Sequence, residues 1–322
     1  VVKRILNVAA KLIVSIGLIA YLFSGMNWRE LEAIGSQLVP SLFLGAISFF
    51  LLSNTLGAVQ WYLLLRAQNL SVRFWQALVF YFVGVFFNNV LLGNIGGDAM
   101  RIYDIRRLTG QSSGGVAATM MDRFIGLFST CCIALASYPF IAANASKSSL
   151  LISVLVPVWL GLLVILSMGL SRRLGLLIER LLTRFLPATI SDIVGRLQRS
   201  VFVYRERIPL LAGVWCISLC VQFCRILVYW SAGLAIGMAP GLLYFMSFQP
   251  LAAVIASLPI SIGGLGVREN TLVGLFGGLG FTPEVSTAMS LLGYVAGILA
   301  SLLGGVAFVM RRIESDPSGE MP

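Results

Sequence analysis

Two glycine-rich breaks combine backbone donors with charged side chains in an otherwise apolar chain. The first, GNIGGDAMR, runs from Gly93 to Arg101, and the second, LPISIGGLGVREN, runs from Leu258 to Asn270. Glycines let a backbone turn tightly and present consecutive N–H groups, and the start of the helix that follows carries partial positive charge. Breaks of this kind are suited to binding an anionic group.

The second break places Arg268 and Glu269 in the first turn of a helix predicted to start near Val267. A guanidinium matches the geometry of phosphoryl oxygens, so Arg268 is expected to engage a phosphate while Glu269 pairs with it or with a ligand amine. An internal salt bridge that fixes the break is the alternative. The other candidate ligand-binding residues of this break are Pro259, which ends the incoming helix, Ser261, Gly263, Gly264 and Gly266.

The first break supplies a matching set of polar groups. Asp98 follows Gly97 at a predicted helix start, where capping of free backbone amides is the simplest role for its carboxylate. Arg101 lies one turn further along and either faces a cytoplasmic opening or anchors the chain at the membrane surface. The candidate residues are Asn88, Asn89, Asn94, Gly97, Asp98 and Arg101.

Further charges lie inside apolar segments, at Asp122, Arg123 and Arg225. A charge at the centre of a bilayer costs at least about 2.5 kcal/mol, so each is expected to face the interior of a helix bundle. Arg225 has no acid nearby in sequence, so its partner is Asp122, Glu269 or a bound phosphate. Gln222 and Tyr229, one turn before and after Arg225, would extend a polar pathway on the same helix face.

The elements that carry these residues are predicted to be membrane helices. Of the 322 residues, 58% are hydrophobic and 11% are charged, and the mean hydropathy is +0.92. Several apolar runs reach the roughly 20 residues that a helix needs to cross a bilayer. The sequence therefore predicts an all-α polytopic membrane protein with six full spans, at 8–24, 39–65, 113–142, 149–170, 208–236 and 283–310. Segments 74–92 and 242–260 end at the two breaks and are predicted to be re-entrant helical hairpins.

The basic residues indicate the topology. With both termini cytoplasmic, seventeen lysines and arginines lie inside, and Arg29 and Lys147 lie outside, as the positive-inside rule expects. The chain then divides into two repeats of opposite orientation, 1–148 and 149–322. Such inverted repeats with paired broken helices are common in transporters. The alternative is that both breaks are ordinary loops. The polar segment 171–207 is predicted to be an amphipathic cytoplasmic linker that rests on anionic lipid.

Composition argues against several other functions. The chain has no histidine, so a Ser-His-Asp triad is excluded, and its five cysteines lie within apolar runs, where packing is their expected role. We expect no metal and no cofactor. The net charge of +10 lies at the ends of spans rather than in a soluble basic domain, which favours anionic lipid over nucleic acid as the partner.

With these motifs, the chain resembles the flippase-like family typified by the transmembrane region of lysylphosphatidylglycerol synthase. The resemblance rests on NNVLLGNIGGDAMRIYDIRR, from Asn88 to Arg107, and on LPISIGGLGVREN, and it covers nearly the whole chain. It implies movement of a lipid between leaflets, which in well-known relatives is an aminoacylated phosphatidylglycerol. Those relatives carry a soluble aminoacyl-transferase domain, which this sequence is expected to lack, so the synthase activity is expected to be absent.

The expected function is a lipid translocator of the bacterial inner membrane that moves a phosphate-bearing lipid, of the aminoacyl-phospholipid or polyprenyl-phosphate type. The expected partners are membrane lipids with anionic headgroups, with a homo-oligomer or a partner enzyme of a lipid pathway as further options. The alternative is a membrane-embedded enzyme or accessory subunit of a glycolipid or polyprenyl-phosphate pathway, with Asp98 or Glu269 as a base.

Overall fold

A computed structural model describes residues 16–18, 20–21, 27–90, 95–141, 148–170, 202, 204–258, 261 and 264–314. These residues contain helices and no strand, which confirms the all-α class. In chain order the helices are α1 Trp28–Ser36, α2 Pro40–Ala67, α3 Phe74–Val90, α4 Ile95–Thr109, α5 Ser113–Ile141, α6 Ser148–Leu170, α7 Ile208–Ala235, α8 Leu242–Ser257, α9 Val267–Gly277 and α10 Pro283–Glu314.

Four of these helices are long and apolar enough to cross a membrane. They are α2, α5, α7 and the part of α10 from Pro283 to Met310. Helix α6 coincides with the predicted span 149–170, but its apolar part, Leu151–Ser167, is shorter than the 18 residues of a candidate span. Most of the predicted span 8–24 and of the linker 171–207 lies outside the described residues. The helices thus identify a membrane protein with four candidate spans, and the count of six stays a prediction.

Each glycine-rich break separates two short helices. Helix α3 has 17 residues and ends at Val90, and α8 has 16 residues and ends at Ser257. Both are shorter than a full crossing requires. Beyond the breaks, α4 packs against α3, and α9 packs against α8 and begins at the predicted Val267. Each apolar segment therefore continues into a helix that lies beside it.

Helix packing is the same in the two halves of the chain. Helix α2 packs most extensively against α7, its counterpart by position in the chain. Helix α3 packs against α10, and correspondingly α8 packs against α5. Likewise α2 contacts α10 and α7 contacts α5. Exchanging α2–α5 with α7–α10 therefore reproduces the main helix contacts.

Small residues allow the helices of opposite halves to approach closely. At Gly304 of α10, an added Cβ would collide with the backbone carbonyl of Phe82 in α3. Helices that meet in a membrane often use glycine at such points, because backbone packing replaces the missing hydrophobic driving force. The contact between α3 and α10 thus depends on the absence of a side chain at this position.

Replacing Gly304 by Ala is expected to lower the thermal unfolding temperature of the detergent-solubilised protein, because overpacking costs about 1–3 kcal/mol. Gly161→Ala in α6 is the matched control, since a Cβ at Gly161 meets no atom within 4 Å. It should leave the unfolding temperature unchanged or raise it slightly. Equal stability of the two variants would contradict the packing of α3 on α10.

Candidate functional site

A buried ion cluster connects the first break to α2 and α5. Arg101 of α4 is only 4% exposed, and its Nη2 donates to Asp98 Oδ1 at 2.6 Å. Its Nη1 donates to Asp122 Oδ2 of α5 at 3.1 Å. The other carboxylate oxygen of Asp122 accepts a hydrogen bond from Gln60 Nε2 of α2 at 2.8 Å. Three helices are thus joined through the Arg101 guanidinium and the Asp122 carboxylate.

Aromatic rings complete the surroundings of Arg101. Its guanidinium carbon lies 5.3 Å from the ring centre of Trp61 and 4.9 Å from that of Tyr81, within the range of cation–π attraction. Arg101 is therefore an internal residue, and its burial rules out the surface anchor that was one of its two expected roles. A position at a cytoplasmic opening stays a prediction.

The carboxylate of Asp98 also binds Arg123. Arg123 Nε and Nη2 donate to the two oxygens of Asp98 at 3.0 and 2.8 Å. Asp98 lies in the first turn of α4, as predicted, but both of its oxygens bind arginines, so ion pairing and not capping is the role that the described residues show. The backbone N–H of Gly97 instead donates to Asn88 Oδ1 at 2.9 Å. Two acids and two arginines leave this cluster without net formal charge.

The second break directs its acid inward and its arginine toward a tyrosine. Gly264 and Gly266 adopt φ angles of 78° and 79°, which favour glycine. The N–H of Gly266 donates to Glu269 Oε2 at 2.8 Å, so this carboxylate caps the N-terminus of α9. Arg268 Nη1 donates to the hydroxyl of Tyr229 at 3.1 Å. Among the described residues no Arg268–Glu269 salt bridge forms, so the structural alternative for this pair is wrong.

A cavity of about 430 Å³ lies between the two halves of the chain. Each of the eight helices α2–α5 and α7–α10 contributes to its lining, for instance through Asn54, Tyr81, Arg101, Asp122, Arg225, Gln249, Arg268 and Tyr294. The two breaks, about 170 residues apart in sequence, therefore border one space.

Half of the residues proposed from sequence line this cavity, namely Asn88, Asn89, Arg101, Asp122, Arg123, Gln222, Arg225, Tyr229 and Arg268. Six others do not line it, namely Gly97, Asp98, Ser261, Gly264, Gly266 and Glu269. Asn94, Pro259 and Gly263 lie outside the described residues. The cavity thus collects the charged and amide side chains, while the glycines and Glu269 shape the backbone around it.

Several lining residues were not identified from sequence, namely Asn54, Gln60, Tyr81, Gln249 and Tyr294. For three of them the sequence does contain a signal, namely an amide side chain within an apolar segment. Asn54 and Gln60 are carboxamides within the 28-residue apolar helix α2, and Gln249 lies within the apolar helix α8. A polar side chain inside a membrane helix is expected to face the bundle interior.

Arg225 brings to the cavity a cation without a salt bridge to any described residue. The expected alternative, a salt bridge to Asp122, does not form, because Asp122 binds Arg101 and Gln60. Within the described part of the chain, neither Arg225 nor Arg268 has a carboxylate within 4.0 Å. Asp122 is the only acid among the described lining residues. The arrangement can therefore bind an anion through two arginines of the second half.

Truncating Asp122 to Ala should destabilise the solubilised protein by about 3–5 kcal/mol, because the buried Arg101 guanidinium would lose a partner. Glu206→Ala is the matched control, since the Arg205–Glu206 pair also has a short separation, 3.2 Å, but its carboxylate is 82% exposed. Exposed pairs contribute little. If neither variant lowers the thermal unfolding temperature, the ion cluster is not needed for stability.

The described residues contain no group of three or more side chains arranged to hold a metal ion.

Comparison with known proteins agrees with the membrane architecture. The model of the family described as lysylphosphatidylglycerol synthase TM region matches residues 8–305. A UPF0104 membrane protein of Methanothermobacter thermautotrophicus is 25% identical over 281 residues, which cover 78% of each chain. Another UPF0104 membrane protein, from Pyrococcus horikoshii, is 20% identical over 288 residues, covering 83% of this chain and 86% of its own. Both relatives are archaeal, so they do not bear out the expected bacterial membrane. The resemblance drawn from the two motifs is confirmed: the chain is a membrane protein of the lysylphosphatidylglycerol synthase transmembrane-region family.

Proposed function

We propose that this protein is a lipid translocator that moves a phosphate-bearing lipid between the leaflets of a membrane. The observation that carries this proposal is the cavity between the two halves, in which Arg225 and Arg268 have no carboxylate partner among the described residues. A guanidinium in a low-dielectric cavity attracts phosphate strongly, and its fork geometry allows paired hydrogen bonds. A phosphate headgroup would replace the missing acid.

A lipid suits the surroundings of the cavity better than a soluble anion. The outer face of α10 exposes a continuous apolar stripe, formed by Leu299, Leu302, Leu303, Val306, Val309 and Met310. Such a surface is favourable in contact with acyl chains. In the proposed mechanism the headgroup enters the cavity while the hydrophobic tail stays in the bilayer beside the helices.

The matched packing of the halves supports alternating access. Exchange of α2–α5 with α7–α10 leaves the main helix contacts unchanged, as expected of repeats 1–148 and 149–322. We infer six spans and two re-entrant hairpins inserted from opposite sides, with both termini cytoplasmic in a bacterial inner membrane. Rocking of one half against the other would then expose the cavity first to one leaflet and then to the other.

We further propose that the protein is a transporter without synthase activity. Purified protein in liposomes, supplied with acyl-labelled lipid, tests this directly. Transport of the label across the bilayer without a new lipid species supports translocation. Chemical conversion of the lipid would instead identify a membrane-embedded enzyme and contradict the proposal.

Arg225→Gln and Arg268→Gln should each slow transport of an anionic phospholipid by about ten- to a hundredfold, since a hydrogen bond to a charged group contributes about 1.5–3 kcal/mol. Initial rates of label transfer in proteoliposomes measure the effect. Arg66→Gln is the control, because Arg66 is an exposed arginine at the end of α2, away from the cavity. Wild-type rates in both cavity variants would refute the assignment of the anion site.

A further inference from the structure

Several carboxamide side chains line the cavity. Six of the described lining residues carry amide side chains, namely Asn54, Gln60, Asn88, Asn89, Gln222 and Gln249. An amide presents both an N–H donor and a carbonyl acceptor, which a phosphate, an acceptor only, cannot fully pair. Arg225 and Arg268 already supply enough donors to bind a phosphate. The amides therefore indicate that the ligand has a second polar part.

Two of these amides have buried atoms for which the described residues offer no hydrogen-bond partner. Asn54 is 1% exposed, and neither its Nδ2 nor its Oδ1 has a partner in the described part of the chain. Gln60 is 2% exposed and donates to Asp122, but its Oε1 has no partner among the same residues. Buried polar atoms are almost always satisfied, and leaving one unpaired is costly. Both residues line the cavity, so a ligand group that both donates and accepts would satisfy these atoms once it reaches them.

Hydroxyl groups meet this requirement, and amines do not. A hydroxyl donates to an amide carbonyl and accepts from an amide N–H, whereas an ammonium group only donates. An ammonium also needs an acid, but Asp122 is bound by Arg101 and Gln60, and Glu269 is bound by the N–H of Gly266. Near Arg225 and Arg268 a cationic head would meet repulsion.

We propose that the cavity selects an anionic phosphodiester head bearing a neutral hydroxylated group, such as glycerol or a sugar, and rejects amine-bearing heads. The phosphate binds Arg225 and Arg268, and the hydroxyls bind the amides around Asn54 and Gln60. This inference rests on the proposed function, since it names the lipid class for the same cavity.

The test compares three acyl-labelled lipids in phosphatidylcholine vesicles that contain the purified protein. Phosphatidylglycerol carries the phosphate and the hydroxyls, phosphatidic acid lacks the glycerol, and lysylphosphatidylglycerol adds amines. We expect phosphatidylglycerol to cross about tenfold faster than phosphatidic acid, the effect of one or two hydrogen bonds, and lysylphosphatidylglycerol to stay near background. Equal or faster transport of lysylphosphatidylglycerol would overturn the inference while leaving the proposed function intact.

Asn54→Leu, which keeps the side-chain volume, should lower the ratio of the phosphatidylglycerol rate to the phosphatidic acid rate to about one. The ratio does not depend on the amount of folded protein, so partial misfolding does not mimic the effect. Thr55→Val is the matched control on the same helix, because Thr55 is exposed outside the cavity and its hydroxyl binds the carbonyl of Leu51. An unchanged ratio in Asn54→Leu would overturn the role of the amide.

Binding measurements separate the inference from the transport activity. Dioctanoyl phosphatidylglycerol should raise the thermal unfolding temperature of the solubilised wild-type protein more than dioctanoyl phosphatidic acid does, and Asn54→Leu should remove the difference. If no lipid crosses the membrane but this preference holds, the proposed function fails and the inferred headgroup class stands. If the two lipids stabilise equally, the inference fails.

Discussion

The buried pairing of Arg101 with Asp98 and Asp122 is the interaction on which the rest of the site depends. Isolated charges inside a membrane protein are costly, so these groups must lie together. Their pairing joins α4 to α5 directly and to α2 through Gln60. The first break is thus held against the centre of the bundle, which places one wall of the cavity.

The two halves share their packing but differ in their electrostatics. In the first half, two acids neutralise Arg101 and Arg123. In the second half, the acid of the break binds a backbone N–H instead, and Arg268 contacts only the hydroxyl of Tyr229 through a side-chain hydrogen bond in the described residues. Equivalent positions have therefore taken different roles. The first half supplies a neutral framework, and the second half supplies the positive charge that faces the cavity.

Much of the architecture could be predicted from sequence, because helix bounds in a membrane protein follow from long apolar runs. The predicted segments 39–65, 113–142 and 208–236 correspond within two residues at each end to helices Pro40–Ala67, Ser113–Ile141 and Ile208–Ala235. The arginines and amides lining the cavity were recognisable because polar groups in apolar helices must face inward. The partners of these side chains could not be recognised from sequence. Asp98 was expected to cap a helix, and Arg225 was considered a partner of Asp122.

Sequence alone determined the membrane class, the positions of both breaks and the family, since composition, apolar run length and local motifs are properties of contiguous residues. Only the tertiary structure decided which acid neutralises which arginine. Asp98, Asp122 and Glu269 are chemically similar carboxylates, and a choice among partners 3 to more than 20 residues away depends on how the helices cross. Among the described residues, that crossing leaves Arg225 and Arg268 without a salt bridge and the Asn54 amide without a hydrogen-bond partner, and these unpaired groups characterise the cavity.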